Sequence, residues 1–139
     1  MSGDFDWNEN NRAVITEFRA NGGKVGDDQY PLILLTSTGA KSGLLRINPL
    51  NYGLDGERII LVASKAGSPT NPDWYHNLVA NPEATVEIGA EKFQVRASVA
   101  QGPERQRLFD QMAAVMPFYA RYQQQTTRQI PVLILERIS

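Results

Sequence analysis

Two-residue turns between short apolar runs constrain the fold of this chain more than any other feature. Asp55-Gly56 precedes the apolar run 58–63, and Gly89-Ala90 separates the alternating runs 84–88 and 91–100. Tight turns of this kind join neighbouring antiparallel strands, whereas parallel strands need crossover connections of a dozen residues or more. The pattern therefore predicts a largely antiparallel sheet built from hairpins.

The remaining periodic segments are predicted as three more strands and a few helices. The additional strands are residues 30–36, 45–54 and 130–138. Apolar periodicity and end signals predict helices at residues 7–20, 71–81, 104–116 and 117–125. Pro49 falls inside the strand 45–54 and requires an edge or a bulge there. Asn71 is predicted as the N-cap of its helix, with Pro72 at the first helical position. This order predicts a mostly β barrel or sandwich with flanking helices.

Length and composition exclude several classes of protein. The 139 residues predict one domain, 1–139, that begins with a helical segment at about 7–21. A net charge of −1 argues against a nucleic-acid partner. The absence of cysteine excludes thiolate chemistry, and a single histidine, His76, argues against a metal site. Without an apolar span or a secretory signal, the expected location is the cytoplasm.

The segment TSTGAKSG, residues 36–43, is the first candidate for a phosphate-binding loop. A P-loop of the nucleotide triphosphatases requires glycine before the lysine and a helix after the loop. Here Ala40 precedes Lys41, and the residues that follow predict a strand. The alternatives that remain are a plain hairpin loop and one half of a different anion site.

The segment ASKAGS, residues 63–68, also follows a predicted strand and also combines Ser, Lys and Gly. If both loops meet at one end of a barrel, Lys41, Arg46 and Lys65 form a cationic site, to which Ser42 and Ser64 add hydroxyl groups. The alternative interpretation is that these are scattered surface cations.

Aromatic residues supply further candidate positions. Trp74 either stacks on a flat ligand at the start of its helix or packs with Leu78 as core. Tyr119 and Tyr122 lie three apart on one helical face and either line an apolar pocket or pack at its rim. His76 is interpreted as a surface or capping residue. Since no triad, carboxylate dyad or metal cluster is visible, any catalysis requires a cofactor.

The chain resembles the deazaflavin-dependent nitroreductase and quinone reductase family of actinobacteria, which uses coenzyme F420, an 8-hydroxy-5-deazaflavin. The similarity covers roughly residues 30–139. It is carried by LTSTGAKSG (35–43), RINPL (46–50), ASKAG (63–67), NPDWYHNL (71–78), ANP (80–82) and RQIPV (128–132). This resemblance implies a split β-barrel and hydride transfer to a small-molecule acceptor: a quinone, a nitroaromatic or an activated enone.

The resemblance also implies roles for individual residues. It assigns Lys41, Arg46 and Lys65 to the phosphate and acidic tail of the cofactor, with Ser42 beside them. Ser64 is implied near the ring, and the groove is lined by Asn48, Pro49, Ala63 and Trp74. It implies substrate-pocket roles for Tyr119 and Tyr122, and Ser64, Tyr119 or water as proton donor.

Three positions depart from the family pattern. Ala40 stands where some members have a basic residue, Asn51 where some have an aromatic residue, and Met116 where a pocket tyrosine is expected. The N-terminal helix is less apolar than the membrane-associating helix of some relatives, so at most peripheral membrane contact is expected, along with a homodimer. Two alternatives stay open: an FMN-binding split-barrel oxidoreductase and a deazaflavin-binding protein without turnover.

Overall fold

The computed structural model describes residues 7–26 and 30–138 of the chain. Residues 1–6, to which the argument on a secretory signal applies, and residues 27–29 lie outside the described residues, as does Ser139. Within the described ranges the elements are α1 (Trp7–Ala20), β1 (Leu32–Thr38), β2 (Leu45–Asn51), β3 (Gly53–Asp55), β4 (Arg58–Val62), α2 (Asp73–Ala80), β5 (Glu83–Ile88), β6 (Glu91–Val99), α3 (Gly102–Val115), α4 (Phe118–Gln124) and β7 (Val132–Arg137).

The described strands form one antiparallel sheet in the order β2-β1-β5-β6-β7-β4-β3. Both predicted hairpins form. Ile88 pairs with Glu91, so Gly89-Ala90 is the turn as predicted, whereas Asp55 pairs with Arg58, which makes the first turn Gly56-Glu57 instead of Asp55-Gly56. The prediction of a mostly β, antiparallel fold is therefore confirmed. No helix among the described residues is long and apolar enough to cross a membrane.

The two edge strands of this sheet, β2 and β3, are consecutive in sequence. Asn51 at the end of β2 pairs with Leu32, and Gly53 at the start of β3 pairs with Ile60. Because only Tyr52 separates them, the sheet has to curl until its two edges meet. The segment predicted as one strand, 45–54, is in fact two strands that change partner at Tyr52, and this change closes the barrel.

Pro49 lies in β2 opposite Leu34, on the edge of the sheet. An edge strand needs ladder hydrogen bonds on one side only, so the missing N–H of proline can face away from the partner strand. The edge position predicted from Pro49 is confirmed.

Alternate residues of the strands pack on opposite faces of the curled sheet. On β4, Ile59 and Leu61 belong to the inner core, while Ile60 and Val62 belong to a second core beneath α3 and α4. Period-2 alternation of buried apolar side chains on both faces is what a sheet covered on both sides requires. The inner core fixes the barrel, and the outer core fixes the position of α3 and α4.

Strand directions place β1 and β4 parallel in space although they are not adjacent. From β1 the order β5-β6-β7-β4 reverses direction four times, so β1 and β4 finish at the same end of the barrel. This β1/β4 end therefore carries both segments, TSTGAKSG and ASKAGS. Helix α2 packs against β1 and β6, and its Trp74 and Leu78 enter the inner core.

The predicted N-cap of α2 is wrong. The cap position belongs to Pro72, which makes no side-chain cap, and the helix starts at Asp73. The side-chain oxygen of Asn71 instead accepts a hydrogen bond from Nη1 of Arg128 at 2.7 Å. The Asn71 side chain thus bonds to a charged donor and not to the N–H groups of the helix end.

Candidate functional site

A cleft of about 950 Å³ opens at the β1/β4 end, a volume suited to a small-molecule ligand. Four elements contribute to its walls: α1, the β1–β2 loop, β2 and α2. The lining residues are Asn11, Arg12, Ile15, Gly39, Ala40, Lys41, Ser42, Leu45, Arg46, Ile47, Asn48, Asp73, His76 and Asn77. We call this space the cationic cleft, for the charges described below.

The β1–β2 loop, residues 39–44, is held by its own hydrogen bonds. Gly39 N donates to Leu44 O at 2.7 Å, and Gly43 N donates to Gly39 O at 3.0 Å. The Ser42 hydroxyl accepts from Leu44 N at 3.1 Å. A Cβ on Gly39 would lie 2.5 Å from that hydroxyl oxygen, which explains the glycine. The segment is thus a hairpin loop in form, with Lys41 exposed at its tip.

A buried asparagine on α2 anchors this loop. Asn77 Oδ1 accepts from Ala40 N at 2.9 Å, and Asn77 Nδ2 donates to the Ser37 hydroxyl at 3.3 Å. Asn77 and Ser37 are both buried, so water does not compete effectively for these groups. The helix therefore fixes the loop, and through it the backbone that carries Lys41.

Three cations line the cleft without an ion-pair partner among the described residues: Arg12, Lys41 and Arg46. Most exposed arginines elsewhere are neutralised, as Arg19 is by Glu87. Within the described part the cleft has one carboxylate, Asp73. The local charge is therefore positive although the chain as a whole carries −1.

A left-handed turn follows β4. Lys65 and Ala66 have φ angles of 46° and 53°, which side-chain-bearing residues seldom adopt, and Gly67 has φ 78°. Hydrogen bonds from Gly67 N to Ser64 O and from Ser68 N to Lys65 O, both 3.0 Å, close the turn. Lys65 is exposed, and its Nζ lies 3.4 Å from the Thr70 hydroxyl. We call residues 64–67 the β4 turn.

Trp74 lies at the start of α2 and is only 6% exposed. It belongs to the inner core together with Leu78, one helical turn away. The core interpretation of this pair is confirmed. A buried indole can still present one edge as a wall for a ligand lying against α2.

Three polar atoms near the β1/β4 end have no protein partner within the described ranges: Ser64 Oγ, Trp74 Nε1 and Tyr119 Oη. No side-chain N or O atom there is both fully sealed and unpartnered, so each of these three atoms reaches solvent. Each sits on a residue whose body is buried, with exposures of 5–8%. Such atoms are free to form hydrogen bonds with a ligand.

Tyr119 and Tyr122 lie on α4, which packs against the β4 turn. A Cβ on Gly67 would lie 3.1 Å from the backbone oxygen of Tyr122. The Tyr119 ring is buried beside Phe118, with ring centroids 4.7 Å apart. Burial, and then the neighbouring Tyr122, raise the pKa of Tyr119 to about 12. Its phenol is therefore protonated at neutral pH.

The structure places the predicted cofactor residues in two groups at the same end of the barrel. Lys41, Ser42, Arg46 and Asn48 line the cationic cleft. The others lie outside its walls: Ala63, Ser64 and Lys65 follow β4, Pro49 lies next to Asn48 on β2, and Trp74 lies on α2. Of the three predicted cations, Lys41 and Arg46 share the cleft and Lys65 does not.

Five polar or charged lining residues were missed by sequence reasoning or given no ligand role: Asn11, Arg12, Asp73, His76 and Asn77. Asn77 lies three residues after Trp74 and one before Leu78, which puts a polar group on the buried face of α2. That signal was available in the sequence. No local signal shows that Arg12 lines the same cleft as the β1–β2 loop, because this placement depends on how α1 docks. His76 is exposed, as interpreted, and lies on the cleft wall.

Known proteins resemble this chain along nearly all of its length. Residues 10–137 match the model of the family F420H(2)-dependent quinone reductase. An F420H(2)-dependent quinone reductase of Mycobacterium tuberculosis (strain H37Rv) is 38% identical over 126 residues, which are 86% of this chain and 85% of that protein.

Solved structures agree with this match in fold as well as in sequence. One described as an F420-H2 dependent reductase is 38% identical, with a TM-score of 0.71 over 81% of this chain and 100% of that one. Another, described as a domain-swapped dimer, is 37% identical, with a TM-score of 0.73 over 94% and 98% of the two chains. The chain therefore belongs to the F420H(2)-dependent quinone reductase family, and is a split-barrel reductase with coenzyme F420 as its cofactor.

Proposed function

We propose that this protein passes a hydride from reduced F420 to an electron-poor acceptor of the quinone, nitroaromatic or activated-enone class. The observation that carries the proposal is a group of three cations, Arg12, Lys41 and Arg46, that no described carboxylate neutralises, in one cleft of a chain without net positive charge. F420 ends in a phosphate and an oligoglutamate tail, and these are the groups such a cleft attracts.

The cationic cleft takes the anionic part of the cofactor. Lys41 and Arg46 supply charge-assisted hydrogen bonds, each worth about 1.5–3 kcal/mol. The backbone N–H groups of Lys41 and Ser42 have no acceptor within the described residues and add donors at the loop tip. Arg12 adds from α1 a cation near the position where Ala40 supplies none.

The ring of the cofactor lies between β2 and the end of β4. Asn48 and Pro49 form one wall and Trp74 forms the apolar opposite wall, which the fully buried Ala63 supports from the inner core. Ser64 Oγ and Trp74 Nε1 have no partner in the described part of the chain and reach solvent, so both are available to the polar edges of a deazaflavin. Lys65, exposed beside Ser64, reaches from the β4 turn toward the phosphate.

The acceptor lies against α4. Tyr119 and Tyr122 line its pocket, and Met116, which is 1% exposed, supports them from the outer core. The contact between α4 and the β4 turn supports this arrangement, because it brings the two tyrosines toward the end of the barrel that carries Ser64. A methionine in place of a tyrosine leaves this pocket one hydroxyl poorer, which favours apolar acceptors.

When bound, the reduced deazaflavin supplies the hydride. The chain contributes position and charge: fixed cations and oriented N–H groups hold the cofactor, and buried walls exclude water. A proton completes the reduction and comes from the Ser64 hydroxyl, the Tyr119 phenol or water. The pKa of Tyr119, about 12, makes its phenol a weak acid, which stays protonated and uncharged throughout the neutral range.

Titration with reduced F420, followed by oxidation assays with a panel of quinones, nitroaromatics and enones, tests the proposal. We expect saturable binding at micromolar cofactor and acceptor-dependent loss of the reduced cofactor. Absence of saturable binding contradicts the proposal as a whole. Turnover with some acceptor classes and not others defines the substrate.

The same binding and oxidation assays distinguish two alternative functions. Tighter binding of FMN than of F420 favours an FMN-dependent split-barrel oxidoreductase, since FMN has a phosphate but no oligoglutamate tail. Tight binding of reduced F420 without oxidation by any acceptor favours a protein that carries the cofactor without turnover.

Assembly and location belong to the same proposal. We propose that the chain, one domain over residues 1–139, forms a homodimer in the cytoplasm; the 37% identical domain-swapped dimer supports the dimer. Light scattering of the purified protein tests the dimer, and fractionation of producing cells tests the location. A monomer at all concentrations overturns the first part, and recovery with the membrane fraction overturns the second.

A further inference from the structure

One arginine holds both ends of the β4 turn. At the start of the turn, Arg128 Nη2 donates to Ser64 O at 2.7 Å and Arg128 Nη1 donates to Ala63 O at 3.2 Å. Arg128 Nε donates to Ser68 O at 2.8 Å, after it. A fourth bond, from Nη1 to Asn71 Oδ1 at 2.7 Å, holds the segment that leads to α2. The planar fork of one guanidinium thus spans the whole connection from β4 to α2.

The turn that Arg128 holds has an unfavourable backbone. Lys65 and Ala66 both have positive φ, although neither is glycine. Residues in this region persist where surrounding structure enforces it, and they concentrate at ligand-binding sites. Three hydrogen bonds from Arg128 are the enforcing contacts, because they fix the backbone carbonyls on both sides of Lys65 and Ala66.

The backbone of the turn is suited to bind an anion. Ser64 has right-handed helical angles, φ −77° and ψ −36°, and Lys65 has left-handed ones. This alternation points successive N–H groups into one concavity, which favours anions. The N–H groups of Ser64, Lys65 and Ala66 have no acceptor within the described residues. Arg128 adds positive charge behind them, since its acceptors are all neutral.

Arg128 is itself fixed to the helix of the two tyrosines. Gln123 Nε2 on α4 donates to Arg128 O at 2.7 Å, and Gln123 Oε1 accepts from Ile130 N at 3.0 Å. Helix α4 therefore fixes the backbone position of Arg128, and with it the place from which the guanidinium extends. Helix α4 thus reaches the β4 turn in two ways, by direct packing and through the side chain of Arg128.

We propose that Arg128 is a positioning residue for cofactor binding: its guanidinium imposes the left-handed β4 turn, so that the turn's N–H groups and Lys65 face the anionic part of F420. The inference rests on the proposed function, in which this turn contacts the cofactor. Arg128 itself donates all its described hydrogen bonds to protein and acts through the turn.

The first test compares two ligands on Arg128→Lys, which keeps the charge and removes the fork. The ligands are F420 and the same deazaflavin lacking the phosphate and tail. We expect affinity for F420 to fall ~10-fold or more, because a preorganised donor set is lost, and affinity for the truncated ligand to change less than about 2-fold. Equal losses for both ligands overturn the proposal, because they indicate general damage to the barrel.

Two further variants control for stability. Ile134→Val trims a residue of the outer core away from the turn and lowers Tm without a change in the ratio of the two affinities. Asn71→Ala removes one acceptor of Arg128 and shifts the ratio in the same direction as Arg128→Lys, by a smaller factor. If Arg128→Lys does not fold, the Asn71→Ala ratio decides the question, and an unchanged ratio overturns the proposal.

Hydrogen exchange of the cofactor-free protein separates this inference from the proposed function. The amides of Gly67 and Ser68 are hydrogen-bonded within the turn. In Arg128→Lys we expect them to exchange at least about 10-fold faster, while amides of β6 keep their protection. Unchanged protection of Gly67 and Ser68 overturns the inference. Failure of the unmodified protein to bind F420 contradicts the proposed function, whatever the exchange result.

Discussion

The side-chain carbonyl of Asn77 accepts the backbone N–H of Ala40 at 2.9 Å, so helix α2 holds the loop that carries Lys41. Replacement by an apolar side chain of similar size leaves the N–H of Ala40 and the hydroxyl of Ser37 without their partner. We expect Asn77→Leu to lower the free energy of unfolding by roughly 2 kcal/mol, since buried polar groups left unpaired are costly. For a domain of this length that is about 6–10 °C in Tm, measured by circular dichroism.

The matched control is Val79→Ala on the same helix, where the side chain is 57% exposed. We expect its Tm to stay close to that of the unmodified protein, while affinity for F420 is unchanged. Asn77→Leu should weaken F420 binding as well, because the loop loses its anchor. Equal Tm values for the two variants would show that the bonds of Asn77 carry no net stability.

Lys41 and Lys65 lie on two segments at the β1/β4 end of the barrel, and both are exposed. If they attract the anionic tail of F420, the double variant Lys41→Ala with Lys65→Ala should bind at least ~10-fold more weakly at about 0.01 M salt. At about 1 M salt, where the screening length is about 3 Å, the loss should be much smaller. Isothermal titration at both salt concentrations measures the two losses.

Lys92→Ala is the control for this charge effect. Lys92 lies near the start of β6, at the opposite end of the barrel from the cleft, and is equally exposed. It changes net charge by one without touching the proposed site, so its effect should be slight at either salt concentration. A loss in the double variant that is equal at low and high salt would mean that the lysines act through folding.

Local signals were sufficient to predict the hairpins but not how the barrel closes. Each hairpin turn depends on a few adjacent residues, and both hairpins form, although the first turn lies one residue later than predicted, at Gly56-Glu57. The partner change at Tyr52 depends instead on how far the whole sheet curls. No pattern within residues 45–54 shows that β2 pairs with β1 while β3 pairs with β4, because both halves simply alternate as strand.

In the candidate site, too, local sequence predicts some residues, while others depend on the whole fold. Lys41 and Arg46 could be predicted together because they belong to one hairpin, and both line the cleft. Arg12 could not, since it comes from a helix that docks over a distance of about thirty residues. The N-cap at Asn71 failed for a related reason: the competing donor, Arg128, is distant in sequence.

Tyr119 links the outer core to the dependence of stability on pH. Burial raises its pKa to about 12, against 10.0 for an exposed tyrosine. The folded state therefore keeps the proton between pH 10 and 12, while the unfolded state releases it. The contribution to stability is fully present below pH 10 and is lost as the pH rises through 12, an effect on the order of 2–3 kcal/mol.

We expect Tyr119→Phe to flatten this alkaline loss. Urea unfolding at pH 8, 10 and 11 measures it: the variant should lose less stability over that range than the unmodified protein does. Tyr52, whose pKa burial also raises, is unchanged in the variant and keeps its own smaller share of the slope. Identical slopes for the two proteins would mean that the Tyr119 phenol is solvated in the folded state.

Asp55 connects the β3–β4 hairpin to α3 and makes stability depend on pH in the acidic range. Its carboxylate accepts from Arg107 Nη1 at 3.1 Å and from Arg58 Nη2, and these hydrogen bonds, with Arg107 the larger contributor, lower its pKa to about 2 from 3.8. A depressed pKa stabilises the folded state above about pH 4, and this stabilisation disappears as the pH falls toward 2.

We expect Asp55→Asn to be less stable than the unmodified protein at pH 7, by an amount that shrinks between pH 4 and pH 2. Glu136→Gln is the control, since Glu136 is exposed on β7 and forms no ion pair with another described residue. Urea unfolding at pH 7, 4 and 2 measures all three proteins, and a difference for Asp55→Asn that stays constant down to pH 2 would show that its bonds to Arg58 and Arg107 do not depend on charge.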